Sequence, residues 1–375
     1  MLINTITCHH AYNYGATLQA YALQQYLEQQ GNEVTIIRFE PPYYSFYDWR
    51  VLDKGSRPYN LAKKIPVLTP LLRLRKFFLT RRVIGRKYAF DSFDKEYLHL
   101  SQTVYHSSAE IKSEPPVAEL YIAGSDQIWN TNMMNGSEGA YYLDFGARET
   151  IRASYAASFG VSEIKPELKR FVKDKLSKLN FISVREKTAL SILEDLGITT
   201  GVCVLDPVFL LNREKWCEIA SKAKKQNLPD NYILLYDLKS EKDIVSFVQN
   251  YSFMHNLPIV SINDTYVSKY ADYNVNDAGP AEFINLILNA SVVIANSFHA
   301  TAFSLILNKE FYVFPLSKYN NSSRMIDLLS EFGCVERFNP IGISSCKLDY
   351  NEINKRIVKA VCESNQYLKK IISCN

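Results

Sequence analysis

Short β-branched runs alternate with segments of helical spacing along almost the whole chain, and this alternation narrows the fold more than any other feature. "LINTIT" and "EVTIIRF" bracket "YGATLQAYALQQYLEQQG", which has helical spacing and stops at Gly31, so the chain opens as β-α-β. After a break, the rhythm resumes with "ELYIAG", "TIRASYAAS", a Lys-rich helix near 163–179, "FISV", the helix "EKTALSILEDLG" and "GVCVLDPVF". A second series follows: "YILLYDL", a helix over 241–254, "PIVSIN", a helix over 280–290, "SVVIANS", a helix over 300–308, "FYVFP" and a helix over 322–332. Strands separated by helices of this length imply parallel sheets covered on both faces, an α/β fold of two doubly wound, Rossmann-like halves.

At 375 residues the chain exceeds a comfortable single core, which also argues for two domains. The strand series restarts after "LNREKW" (211–216), so the expected division is 1–211 and 212–375. Residues 41–115 break the rhythm and read as an insertion in the first domain. An apolar fraction of 47% with 22% charge is ordinary for a folded, water-soluble chain. The first residues lack a basic leader and a long apolar core, and no run reaches the ~18 apolar residues of a membrane span. Seven cysteines lie scattered without a CxxC pair; they suggest reduced thiols in a cytoplasm, with neither a zinc site nor a disulfide framework readable.

A net charge of +4 is too small to argue for nucleic acid, but it is unevenly spread. Residues 73–87, "RLRKFFLTRRVIGRK", hold seven Lys or Arg and no acid among Leu, Phe, Val and Ile. Such a stretch is either a solvated helix face or a contact for an anionic membrane surface or a phosphate-bearing acceptor.

Ligands of doubly wound sheets bind beyond the carboxyl ends of the strands, so turns that follow strands are the places to look. Four carry chemistry: "HHAYNYGA" (9–16), "GSDQIWN" (124–130), "SVREK" (183–187) and "NSFHAT" (296–301). His299 sits at a strand-to-helix turn where helix N–H groups attract anions; it either caps or packs in its own fold or offers a proton beside a phosphate-sized site. Arg185 emerges at a strand end, as a fork for carboxylate or phosphate or as the partner of Glu186 or Asp195. Lys318 and Arg324, in "PLSKYNNSSR", stand one strand beyond His299 and are either further cations for the site or a solvated loop. In "GSDQIWN", Asp126 is the one acid and Trp129 either stacks on a sugar or is buried beside an Asx-turn. Gly15 allows close backbone approach at a helix start, but "NYGAT" matches no nucleotide-binding pattern. His9 and His10, being adjacent, would point to opposite sides of an extended segment, which argues against a two-histidine metal site. Asp206-Pro207 reads as the end of a strand at the domain junction.

Taken together, "NYGATLQAYAL", "GSDQIWN", "YAASFG", "SVREK", "VLDPVFLL" and "NSFHATAFSLILNKEF" resemble the polysaccharide pyruvyl transferase family, in order from about residue 5 to about 330. The resemblance implies a GT-B-like pair of Rossmann-type domains with the active site in the cleft between them. It implies phosphoenolpyruvate as donor, a pyruvyl ketal formed on two sugar hydroxyls in bacterial surface polysaccharide synthesis, and neither metal nor cofactor. It assigns the histidine of the "SFHAT" turn to His299 and the arginine of "SVRE" to Arg185. The donor, a carboxylate and a phosphate on one small skeleton, would take Arg185 of the first domain together with Ser297, His299 and either Lys318 or Arg324 of the second. The acceptor would lie against the first domain at Asn13, Tyr14, Gly15, Ser125, Asp126, Gln127 and Trp129; Asp126 as base follows from its being the acid of the "GSDQ" turn and not from the resemblance, and a lipid-diphosphate-linked saccharide met at the inner membrane surface through 73–87 suits the insertion.

Two rivals stay open on the sequence. A nucleotide-sugar glycosyltransferase would need an acid for the ribose, and residues 263–283 contain Asp264, Asp272, Asp277 and Glu282. A non-catalytic saccharide-binding protein would equally account for the 25 tyrosines.

Overall fold

Parallel pairing throughout the two main sheets follows from the sequence pattern, because each strand is followed by a segment long enough to cross back over a face. The computed structural model describes residues 1–44, 57–82, 84–238, 242–263, 267–316, 322–344 and 346–374. The first half runs β1 (Leu2–Ile6), α1 (Tyr14–Gln29), β2 (Glu33–Phe39), α2 (Arg57–Lys64), α3 (Thr69–Arg82), α4 (Ile84–Tyr97), β3 (Leu100–Tyr105), α5 (Ser108–Ser113), β4 (Leu120–Ala123), β5 (Ile151–Ser154), α6 (Pro166–Leu176), β6 (Ser183–Val184), α7 (Lys187–Asp195) and β7 (Val202–Cys203). The second runs α8 (Arg213–Ser221), β8 (Ile233–Tyr236), α9 (Lys242–His255), β9 (Ile259–Ile262), β10 (Tyr273–Val275), α10 (Pro280–Asn289), β11 (Val292–Ala295), α11 (Phe298–Ile306), β12 (Phe311–Val313), α12 (Ser323–Phe332) and α13 (Tyr350–Ile372).

The strand orders are β3-β2-β1-β4-β5 and β10-β9-β8-β11-β12, with β6 and β7 forming a small pair of their own. The sheets therefore reverse winding beside β1 and beside β8, and the crevices at those points are where ligands of such folds sit. Strands β4, β8, β9 and β11 are buried at every residue, which explains why their sequences, Ser261 apart, are apolar instead of alternating.

The insertion expected over 41–115 is only partly one. Leu100–Tyr105 is the edge strand of the first sheet; its polar center, Ser101-Gln102-Thr103, hides the pattern because an edge strand has solvent to face. Helix α4 belongs to the body as well, burying Phe90 and Phe93 against Tyr14 and Tyr21. At the other end, α13 crosses back to the first sheet. Its Leu368 and Ile371 pack with Ile3, Tyr26 and Tyr155, the Tyr367 hydroxyl donates to the Ser154 carbonyl at 2.8 Å, and Ser364 accepts from the Leu205 amide at 3.0 Å. Residues 212–375 thus include a helix seated on the first half.

Tyr14, the first residue of α1, joins the halves. Its ring stacks on Phe283 at 4.5 Å, Arg86 lies over it at 4.8 Å, and its hydroxyl donates to the Ala278 carbonyl at 3.0 Å. Tyr14 is therefore core, not an open contact for a sugar. Replacing it by Ala removes a fully buried ring from this seam and should cost about 3–5 kcal/mol, read as a lower urea midpoint.

Candidate active site

Beyond the carboxyl ends of both sheets lies a cavity of about 810 Å³ whose walls include Asn13, Asp126, Gln127 and Asn130 from the first half and Tyr236, Asn296, Ser297, His299 and Arg324 from the second. Two helix starts reach it. Asn13 caps α1, its side chain accepting from the Ala16 amide at 3.3 Å. Ser297 is the N-cap of α11 but makes no capping hydrogen bond, so its hydroxyl and the first amides of the helix are available to an anion.

One buried carboxylate organizes the floor. Asp206 Oδ2 accepts from Arg185 Nη1 at 2.8 Å and from the Ser125 hydroxyl at 2.9 Å, and lies 3.4 Å from His299 Nε2. Its Oδ1 accepts from the Val208 amide at 3.1 Å. Burial alone would raise the Asp206 pKa, but His299 and Arg185 outweigh it and hold the carboxyl well below its usual range. His299 is pressed against α1: a Cβ on Gly15 would fall 1.8 Å from His299 Nδ1. The close approach that Gly15 permits is thus that of the His299 ring, not of a saccharide.

Arg185 is buried behind this surface and does not line the cavity. Its Nη2 is 3.6 Å from Asp126 Oδ1, its Nε 3.9 Å from Glu186 Oε2, and its guanidinium lies 4.4 Å from the Phe298 ring. Burial lowers its pKa, but Asp206, Asp126 and Glu186 more than compensate and raise it above the ordinary value. The guanidinium that faces the cavity is Arg324, from the first turn of α12 and 5.9 Å from Phe298. Burial and the neighboring Arg185 bring its pKa down to about 10, so it stays charged at neutral pH, and its Nε has no hydrogen-bond partner. Lys318 lies outside the described residues.

Asp126 adopts a left-handed conformation with φ +73, which turns its carboxylate toward Arg185 and the cavity. Burial pushes its pKa up, and Arg185, His299 and Arg324 together pull it below the usual value. The other acceptor candidates divide. Gln127 lines the cavity and accepts from Asn130 at 2.7 Å. Ser125 is buried and spent on Asp206. Trp129 is fully buried, donating to the Tyr141 carbonyl at 3.0 Å and stacked on Tyr142 at 5.7 Å, so no sugar can reach it.

Reading the sequence missed three contributors. Asp206 was placed at a strand end and given no chemistry. Lys165 and Lys169, exposed at the start of α6, line the cavity from the first half. Of the acids a ribose would need, Asp272 accepts from the Ile259 amide at 2.8 Å and Glu282 from the Lys224 and Gly279 amides, both at 2.9 Å, while Asp277 is exposed and is not part of the cavity wall. Asp264 lies outside the described residues. Among the described residues no group of three or more His, Cys, Asp or Glu is arranged to hold a metal ion.

A family model described as polysaccharide pyruvyl transferase matches residues 13–318. The chain belongs to the polysaccharide pyruvyl transferase family. No curated protein sequence matches it significantly. Among solved structures it is similar to UDP-N-acetylglucosamine 2-epimerase from Rickettsia bellii, at 10% identity over 100% of this chain and 96% of that one, with a TM-score of 0.51. A UDP-GlcNAc 2-epimerase from Methanocaldococcus jannaschii, solved with UDP-GlcNAc and UDP, is 13% identical over 97% of this chain and 92% of that one, with a TM-score of 0.49. The glycosyltransferase SnogD from Streptomyces nogalater is 11% identical over 99% of each chain, with a TM-score of 0.41. The two parallel sheets and the likeness to the Rickettsia bellii enzyme give this pyruvyl transferase family member a fold of the GT-B type, and residues of both Rossmann-like halves line the cleft.

Two consequences can be measured. Asp206→Asn leaves Arg185 without its closest counter-charge in a dry site, which should cost about 3–5 kcal/mol in urea unfolding at neutral pH. A depressed carboxyl stabilizes only above its unfolded pKa near 4, so the deficit of the variant should shrink as pH falls below about 4. Separately, His9 is buried, and burial, with His10 adding to it, lowers its pKa to about 4. The unfolded chain takes up this proton below about 6.5 and the folded one does not, so His9 subtracts stability as pH drops from about 6.5 to about 4. His9→Phe should show a flatter melting-temperature profile across that window than the parent.

Proposed function

We propose that this protein transfers the enolpyruvyl group of phosphoenolpyruvate onto two hydroxyls of a sugar, forming a cyclic pyruvyl ketal and releasing phosphate, in the synthesis of a bacterial surface polysaccharide. The observation that carries the reading is that His299, Arg324 and the open start of α11 line one cavity with Asp126 of the opposite half. A small polyanion matches that wall: Arg324 and the Ser297 hydroxyl with the α11 amides offer donors to phosphate and carboxylate from two directions.

In this reading His299, its Nε2 turned to Asp206, donates a proton from the other ring nitrogen to the methylene carbon of the donor. The C2 that results is an oxocarbenium center, and a sugar hydroxyl of the acceptor adds to it. Attack makes that hydroxyl strongly acidic, so Asp126 can accept its proton even with a depressed pKa. Phosphate then leaves with the proton that Asp126 took up, regenerating an electrophilic C2 that the second hydroxyl closes upon, its own proton passing to His299 and resetting the site. Arg185 works from behind, holding Asp126 and Asp206 ionized and in place rather than gripping the donor itself.

The acceptor would enter along Asn13, Gln127, Asn130, Lys165 and Lys169. A cavity of about 810 Å³ lies in the upper part of the range that holds drug-sized ligands, so donor and a sugar unit fit together. The cysteines are free thiols, in keeping with work in a reducing cytoplasm.

Incubation with phosphoenolpyruvate and a panel of nitrophenyl or lipid-linked glycosides should release inorganic phosphate and add the mass of one pyruvyl group to one acceptor. Phosphoenolpyruvate should raise the melting temperature and UDP- or GDP-sugars should not; the reverse pattern would favor a glycosyltransferase. His299→Ala should lower kcat by roughly 10²–10⁴-fold. Arg324→Gln should instead raise the KM for phosphoenolpyruvate by about tenfold to a hundredfold, the size of a lost hydrogen bond to a charged group.

A further inference from the structure

The chain between β2 and β3 contains a helical pair, α2 and α3, in which no residue from 57 to 78 is buried. A folded element normally earns its place by burying an apolar face, and this one exposes its own. Leu61, Ile65 and Val67 stand open along and just after α2, and Leu71, Leu74 and Phe78, spaced three and four apart, fall on one face of α3. Val67 is 81% exposed, Leu71 63% and Phe78 57%. Residues 57–82 also carry eight Lys or Arg and no Asp or Glu. The basic stretch that the sequence suggests over 73–87 is divided differently by the fold: Arg86 is buried over the Tyr14 and Phe90 rings, and Lys87 pairs with Asp91, so neither belongs to the exposed patch.

We propose that the α2–α3 pair is a docking surface for an anionic lipid bilayer, lying in the interface with Leu71, Leu74 and Phe78 inserted among acyl chains and the surrounding cations on lipid headgroups. The charge pattern selects this occupant: a second copy of the chain would bring the same eight cations against one another, whereas an anionic bilayer supplies both the missing counter-charge and the missing apolar cover. No helix among the described residues is long and apolar enough to cross a membrane, so the contact is peripheral.

The surface is also placed usefully. The pair leaves the carboxyl end of β2 and returns through α4, whose first turn sets Arg86 against Tyr14 at the start of α1. That is the edge of the first sheet on which the cleft opens, so docking would hold the mouth of the cavity close to the bilayer. This inference stands apart from the pyruvyl-transfer reading and needs no substrate to test.

The test is co-sedimentation of the full chain with vesicles of phosphatidylcholine alone and of phosphatidylcholine with phosphatidylglycerol, at low and high salt. Binding to the anionic vesicles only, weakened by salt, is expected. L71S/L74S/F78S and R73E/R75E/K76E should each reduce it at least tenfold while leaving the melting temperature close to that of the parent, since none of these side chains is buried. Absence of binding to anionic vesicles overturns the proposal, and so does equal binding to both vesicle types. A concentration-dependent dimer in sedimentation velocity that L71S/L74S/F78S abolishes would also overturn it, by assigning the face to a second copy.

Discussion

The cleft depends on a single buried carboxylate. Asp206 has no water to fall back on, and three groups from three stretches of chain converge on its Oδ2: Ser125 after β4, Arg185 after β6 and His299 in α11. Ions in dry surroundings are tolerated only when paired and hydrogen-bonded. Satisfying Asp206 therefore fixes where the two sheets stand relative to each other, because Ser125 and Arg185 come from one half and His299 from the other. The geometry of the candidate site and the packing of the halves are one problem with one solution.

The same constraint sorts the cations. Arg185 is surrounded by Asp126, Glu186 and Asp206 and covered by Phe298, so its charge is already answered within the protein. Arg324 shares the Phe298 ring but has no acid so close, and it is the guanidinium on the cavity wall. Two arginines flanking one aromatic ring are therefore placed differently, one among acids and the other on the cavity wall.

Much of this was legible in the letters. The alternation of buried strands and helices gave the two wound sheets, and the turns after β1, β4 and β11 that the sequence singles out meet at one cavity, because winding order makes such turns converge. The edge strand β3 was not legible, since "LSQTVY" faces water on one side and loses the apolar signature. Trp129 could not be separated from a sugar platform without knowing that Tyr142 lies parallel to it. Asp206 was hidden for another reason. An Asp-Pro pair after a strand looks like punctuation, and only the arrival of His299 from ninety-odd residues away shows that its charge is in use. The neighbor of Gly15 was hidden similarly: a missing side chain records a close approach but not by whom.

The return of α13 to the first sheet has a mechanical meaning. The polypeptide passes between the halves once ahead of α8 and again ahead of α13, and Ser364 ties the second passage to Leu205 on the first. Two adjacent passages of chain back up the seam that Tyr14 and Asp206 hold, so losing either contact would still leave the halves tethered to one another.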